Sequence, residues 1–180
     1  MPLTTYTSGE VLTAASLNAN FTFAAANPTA PAQAIFREEQ ASGTYGGGST
    51  SGSYQTRVLN TTVVNNITGC SLATNQVTLP AGSYYAVGVT PVYGGNNQFR
   101  NRLQNITDGT TIGNGTNQAN AGGAGDSAIT VIEYYFTLAS SKAIALQTRV
   151  NTSVGTDGLG NRCSFGDTEV YSQLTITKVA

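Results

Sequence analysis

Hydrophobic positions recur with a period of two through most of this chain, in short runs separated by Gly, Pro, Ser and Asn clusters. The strongest run is Ser127–Val150, which reads SAITVIEYYFTL, breaks at Ala139-Ser140-Ser141, and resumes as KAIALQTRV. It is rich in β-branched and aromatic residues and holds neither Pro nor Gly, so it predicts strand, loop, strand. Thr130, Ile132, Tyr134, Phe136 and Leu138 share one face of the first strand. Ile129, Val131, Glu133, Tyr135 and Thr137 share the other. A one-residue slip would turn every side chain to the wrong face. The expected hairpin sets Phe136 opposite Ile144 and Tyr134 opposite Leu146. Glu133 then meets Gln147, with Arg149 on the diagonal.

The second face of that hairpin mixes Ile129, Val131 and Tyr135 with Glu133, Gln147 and Arg149. A solvent-facing sheet alternates more cleanly. The mixture predicts a subunit interface built from these six residues. Its alternative is an ordinary half-exposed face, because single surface apolar residues are common.

Further alternating runs follow the same rule. Ala34–Glu38, Tyr54–Val64, Val77–Leu79, Ser83–Val92, Gln98–Ile106 and Glu169–Val179 are the expected strands. Ser42–Ser53, Thr107–Gly125 and Thr152–Asn161 are the expected loops, and Pro80-Ala81-Gly82 a turn. Many short strands without an intervening long helix predict an all-β, antiparallel jelly-roll sandwich. Gln-Thr-Arg-Val occurs at Gln55–Val58 and again at Gln147–Val150, which suggests similar strand environments rather than a repeat fold.

The first thirty-odd residues differ. Thr7 and Glu10 have capping-box spacing. Leu17, Phe21 and Ala24 or Ala25 then recur at helical spacing, predicting a short helix over Ala14–Ala25 that ends at Asn27-Pro28. A helix this short is marginal alone and needs a partner for its stripe. The Pro/Ala-rich link at Asn27–Ala32 divides the chain into an N-terminal segment, 1–32, and a β-domain, 33–180.

Composition narrows the chemistry. Only 9% of the 180 residues are charged and the net charge is −1, against roughly 25% charged in a typical soluble domain. Arg and Lys form no basic stripe, so nucleic acid is not an expected partner. No signal peptide and no membrane-spanning apolar run is apparent. The Asn-x-Ser/Thr triplets at Asn20, Asn60, Asn66, Asn105, Asn114 and Asn151 are read as composition. Cys70 and Cys163 are expected as free thiols. With two cysteines and no histidine, a zinc shell cannot be completed. No cofactor or metal is expected, and Asp108, Asp126 and Asp157 lack calcium-loop spacing.

Catalysis is not expected either. Without histidine, Ser-His-Asp and Cys-His arrangements are excluded. A glycosidase needs two carboxylates about 5–10 Å apart, and Glu38, Glu39, Glu133, Asp157, Asp167 and Glu169 are the candidates. Glu133, beside Tyr134 and Tyr135, has the most apolar setting. Its structural alternative is an interface carboxylate paired with Arg149 or Arg57. Tyr45-Gly46-Gly47-Gly48 and Gly122-Gly123-Ala124-Gly125 lack the Lys-Ser/Thr ending of a phosphate loop. A binding surface is the better expectation: Tyr45, Tyr93, Asn96, Asn97, Gln98 and Arg100 lie in or beside Gly-rich turns. Aromatic faces with amides suit the C–H faces and hydroxyls of sugars.

Six ordered pieces of the β-region resemble a C-terminal domain of bacteriophage tail fibres and related virion proteins. They are Gly43-Thr44-Tyr45-Gly46-Gly47, Gln55–Asn60, Leu79–Tyr84, Arg102–Asp108, Leu146–Arg149 and Glu169–Leu174. The opening Tyr6–Ala14 with Leu17–Phe21 is similar to the start of many phage fibre proteins. The resemblance implies a homotrimeric jelly roll like the complement and tumour-necrosis-factor heads, made in the host cytoplasm and carried on the virion. It implies anchorage to other virion proteins through Val11, Leu12, Leu17 and Phe21. The chain departs from common members in having neither Trp nor His. Three functions follow as expectations: a short tail fibre or spike contacting host surface glycan, a capsid decoration or head fibre, and, last, a polysaccharide-degrading enzyme.

Overall fold

The computed structural model describes residues 5–11, 13–26, 31–94, 97–120 and 125–179, with backbone only for 21–26 and 97. The chain divides into two compact units, Met1–Pro31 and Ala32–Ala180.

The first unit contains one helix, α1, at Ala14–Ala26. Its cap is not the Thr7/Glu10 pair. Those residues close a separate turn, in which the Thr7 amide donates to Glu10 Oε2 at 2.9 Å and the Glu10 amide to the Thr7 carbonyl at 3.1 Å. The Thr7 amide and hydroxyl hold the Glu10 carboxyl below its ordinary range. The helix is capped by Thr13, whose Oγ1 accepts the Ser16 amide at 3.2 Å. A hydroxyl three residues before a free helix amide is what the first turn requires.

The second unit is a two-sheet antiparallel sandwich. Its strands are β1 (Gln33–Gln40), β2 (Tyr54–Thr56), β3 (Thr61–Asn65), β4 (Ser71–Ala73), β5 (Gln76–Leu79) and β6 (Gly82–Tyr93). They continue with β7 (Asn97–Asn105), β8 (Thr110–Asn114), β9 (Gln118–Asn120), β10 (Ser127–Leu138), β11 (Lys142–Val150) and β12 (Glu169–Lys178). One sheet has the order β10-β6-β12-β1-β3. The other runs β4-β5-β11-β7-β8, with β2 pairing β11 and β9 pairing β7.

The expected hairpin is absent, although its loop is where the sequence puts it. β10 pairs β6, with Phe136 opposite Tyr84, whereas β11 pairs β7, β5 and β2, with Ile144 opposite Asn105. Ala139–Ser141 crosses from one sheet to the other. The break lacks the Asn-Gly or Gly chemistry of a tight hairpin turn, and none of its residues has positive φ. Phe136, Leu138, Ile144 and Leu146 still share one core cluster, but they meet across the sandwich rather than side by side. Tyr54–Val64 likewise splits into two strands in different sheets. The supposed loop Thr107–Gly125 contains β8 and β9.

The interior has three levels. The main apolar layer includes Phe36, Tyr84, Ile132, Leu146, Leu174 and Ile176. Gly88 lets Leu146 and Ile132 close in; a Cβ there would stand 2.7 and 2.8 Å from their methyl groups. Above it lies a polar seam. Asn101 Nδ2 donates to the carbonyls of Gly88 at 3.2 Å and Thr130 at 3.0 Å. The Thr148 hydroxyl donates to Thr90 at 3.2 Å. Arg57, fully buried, donates to Leu159 O at 2.6 Å and Pro91 O at 3.1 Å and pairs with Glu38 at 3.4 Å. Burial pushes the Arg57 guanidinium down to about 10. Burial also raises the Glu38 carboxyl, against the pull of Arg57 and Ser172. Above the seam sits a small apolar cluster, Val92, Phe99 and Val150.

The repeated tetrapeptide thus sits in two unlike places: Arg57 is buried and Arg149 is exposed. Removing Arg57 strands a carboxylate inside the sandwich. Arg57→Ala should cost about 3–5 kcal/mol in urea unfolding, while Arg57→Met combined with Glu38→Leu should lose less than Arg57→Ala alone. Equal losses would show that the pair is not what holds this level.

Candidate functional site

The registers put the Gly-rich segments at one end of the sandwich. Gln40 pairs with Glu169, Tyr93 with Ser127 and Phe99 with Val150. The loops after β1 and after β11, and the described residues Gly94, Gly125 and Asp126 next to β6 and β10, therefore cluster there. Gln33, where β1 begins, pairs with Thr177 at the opposite end.

Two of these loops are locked together. Glu169 accepts the backbone amides of Ser164 at 2.7 Å, Cys163 at 2.9 Å and Gly43 at 3.0 Å. Those three bonds hold its carboxyl below the usual carboxylate range. Arg162 Nη1 donates to Gly43 O at 3.0 Å, and its guanidinium lies 4.4 Å from the Tyr45 ring centre. The stiffened loop carries Phe165, which is 83% exposed. Sequence reasoning passed over Phe165 because no alternating run surrounds it.

A cleft of about 840 Å³ opens beside these loops, on the outer face of the sheet containing β7 and β11. Arg100, Arg149, Gln98, Gln118 and Asn151 are among its walls, and Phe99 and Val150 lie at its base. Arg149 and Arg100 are direct cross-strand partners, as are Gln147 and Arg102. Arg100 Nε donates to the Tyr54 hydroxyl at 2.8 Å. The Arg102 guanidinium stacks 3.7 Å over the Tyr54 ring, and that of Arg149 lies at 6.0 Å. Arg102 Nε donates to Gln147 at 2.8 Å, and Gln147 in turn donates to Thr56 at 3.1 Å. Burial lowers the Arg102 guanidinium from its ordinary value; Arg100 and Arg149 add to that, and Tyr54 opposes it.

Of the residues expected to bind a receptor, Gln98 and Arg100 line this cleft. Tyr45 stands with Arg162, and Tyr93 ends β6 with its amide donating to Gly158 at 3.1 Å. Asn96 and the side chain of Asn97 lie outside the described residues.

The six residues expected at an interface do not form one surface. Ile129, Val131, Glu133 and Tyr135 lie on the outer face of the β10-containing sheet. Gln147 and Arg149 lie on the outer face of the other. The split follows from the crossover at Ala139–Ser141. The first group has apolar company: Ile129 is 55% and Tyr135 59% exposed, and Tyr135 lies opposite Tyr85, Val131 opposite Val89, and Glu133 opposite Val87. Burial, and then Glu133 beside it, raises the Tyr85 phenol. Glu133 pairs with neither Arg149 nor Arg57. It is exposed rather than set in an apolar pocket, which removes the ground for singling it out as an acid.

In the first unit, Val11 and Leu17 are exposed. Leu12 and the side chain of Phe21 lie outside the described residues. Cys70 and Cys163 are free, and burial pushes the Cys70 thiol up to about 11. Among the described residues, no three Cys, Asp or Glu side chains gather at metal-binding range.

No family model and no curated protein matches this chain. Its fold does match solved structures. The globular domain of zebrafish complement 1qA protein is 15% identical, over 83% of this chain and 97% of that one, with a TM-score of 0.50. Murine APRIL at pH 5.0 is 11% identical over 82% and 99%, with a TM-score of 0.52. The Eiger TNF from S. frugiperda is 11% identical over 83% and 94%, at 0.50. At such identities the likeness carries the fold, a C1q/TNF-like jelly roll, and nothing about activity.

The Glu169 lock makes a pH prediction. A carboxyl depressed by folding adds stability above its ordinary range and loses it as pH falls through the folded value. Protection of the Gly43, Cys163 and Ser164 amides in hydrogen exchange should fade below that range. Glu169→Gln should already show weak protection at pH 7. Unchanged protection in the variant would mean the loop is held by other contacts.

Proposed function

We propose that this chain is a virion structural and adhesion protein: a homotrimer whose N-terminal unit attaches to the particle and whose jelly roll contacts the host surface. One observation carries the reading, the apolar outer face of the β10-β6 side of its sheet. Tyr85, Ile129 and Tyr135 are exposed there, beside half-buried Val87, Val89 and Val131. A contiguous apolar surface on a soluble domain marks an interaction site.

β10 ends the strand order of its sheet, with Thr116 bonded to its outer edge at Val131, so the patch runs to the margin of that sheet face. A margin-to-face contact is heterologous, and such contacts close as rings when the rotation allows. Three copies about one axis are the arrangement that the ordered fibre-like motifs imply. The arrangement of ends agrees with display. The β-domain begins at one end, and the stiffened loops, Phe165 and the cleft occupy the other. The protein is not an enzyme on this reading: of its acids, Glu38 is tied to Arg57 and Glu169 to three amides, and Glu133 stands open on the outer face. Its place would be the virion after synthesis in the host cytoplasm.

A capsid-decorating role is the second reading. It rests on the same apolar face and differs only in where on the particle the N-terminal unit attaches. Locating the protein by electron microscopy of the virion separates the two.

Light scattering of the pure chain should report three times the monomer mass at micromolar concentration. Ile129→Asp with Tyr135→Asp should yield monomer that keeps its β-sheet circular dichroism. A wild-type monomer would defeat the trimer reading. Phe21→Asp should reduce incorporation into particles and leave the β-domain folded. Normal incorporation would overturn the attachment role of α1.

A further inference from the structure

Arg100, Arg102 and Arg149 gather around Tyr54 on the outer face of the β7/β11 sheet. Arg149 lies directly across from Arg100, and Arg102 is two residues further along the same strand. Like charges directly opposite on neighbouring strands destabilise a sheet. The ion pairs among the described residues are Arg37–Glu39, Arg57–Glu38 and Lys142–Asp108; none involves these three arginines. Three of the chain's eight Lys and Arg residues therefore stand together without a carboxylate. Tyr54 holds them through its hydroxyl and its ring, and neither contact brings a carboxylate to the cluster. A cluster kept at an electrostatic cost, with two of its members lining an 840 Å³ cleft, has the makings of an anion site.

We propose that this cleft binds an acidic saccharide, with Arg100 and Arg149 taking a sugar carboxylate and Gln98 and Gln118 meeting its hydroxyls. The proposal rests on the adhesion reading above and specifies its ligand class. Guanidinium forks match carboxylates with paired, charge-assisted hydrogen bonds. Side-chain amides both donate and accept, as hydroxyls require. The cleft has the volume of a small-ligand pocket. Nucleic acid fits less well: tracking a phosphate backbone takes a stripe of cations, and here three sit at one spot in a chain of net charge −1.

The test uses the full chain and oligomers of a polyglucuronate, with the same oligomers after carboxyl reduction to the neutral sugar. Calorimetry should show binding of the acidic oligomer and at least about tenfold weaker binding of the reduced one, the scale of a lost charged hydrogen bond. Arg149→Gln and Arg100→Gln should each weaken the acidic oligomer about tenfold and leave the reduced one unaffected. Arg149→Lys, which keeps the charge but loses the fork, should recover only part. The reduced-oligomer comparison needs no variant, so misfolding of either variant leaves it intact. Equal affinity for both oligomers overturns the inference while a sugar-binding head survives. Binding of neither overturns it, and trimer mass and particle incorporation then judge the adhesion reading separately. Tighter binding of a single-stranded oligonucleotide of equal charge also overturns it, as a general polyanion site.

Discussion

The guanidinium of Arg57 lies inside the sandwich and reaches Pro91 of β6, Leu159 of the loop after β11, and Glu38 of β1. Its own backbone amide donates to Leu146 of β11 at 2.8 Å. One residue therefore joins both sheets and a loop at the level where the apolar core gives way to polar groups. A charge is tolerated there because carbonyls and a carboxylate surround it. Asn101 with Thr130, and Thr90 with Thr148, close the same level by hydrogen bonds across the sandwich. Polar links of this kind have directional geometry, which apolar contacts lack, and so they fix how the sheets are set against each other. The loops and the cleft are built on that level.

The consequences appear on the outside of the molecule. Core residues account for the inner faces of β6 and β10, yet their outer faces carry Tyr85, Val87, Val89, Ile129, Val131 and Tyr135. The opposite sheet turns arginines and amides outward along β7 and β11. The two outer faces thus differ in kind, one apolar with a single carboxylate and the other cationic and polar. On the proposed account the first meets sister copies and the second meets ligand, so assembly leaves the cleft open.

Much of the sandwich was legible in the chain. β1, β5, β6, β7 and β12 stand close to where alternation puts them, because each buries one face on the core. Leu79-Pro80-Ala81-Gly82 marks the β5–β6 corner by its turn chemistry. The true partners of β10 and β11, which lie in different sheets, were not legible. Phe136 can satisfy Ile144 equally well beside it or across from it, and alternation does not tell the two apart. That single misreading moved Gln147 and Arg149 onto the wrong surface and hid the meeting of Arg149 with Arg100. β8 and β9 escaped because they pair with the edge of β7 and carry little apolar content beyond Ile112. Arg57 escaped because its tetrapeptide is the same as the one that leaves Arg149 exposed; burial there is decided by tertiary position rather than local sequence.

The central claim is that sister copies cover the outer face of the β10-β6 side of the sheet. Tyrosine modification by hydroxyl radicals tests it within one sample. Tyr134 projects from the other side of β10 and is 42% exposed, against 39% for Tyr85 and 59% for Tyr135. The account predicts that Tyr85 and Tyr135 react much more slowly than Tyr134 in the native protein. Three tyrosines reacting in proportion to those exposures would contradict it.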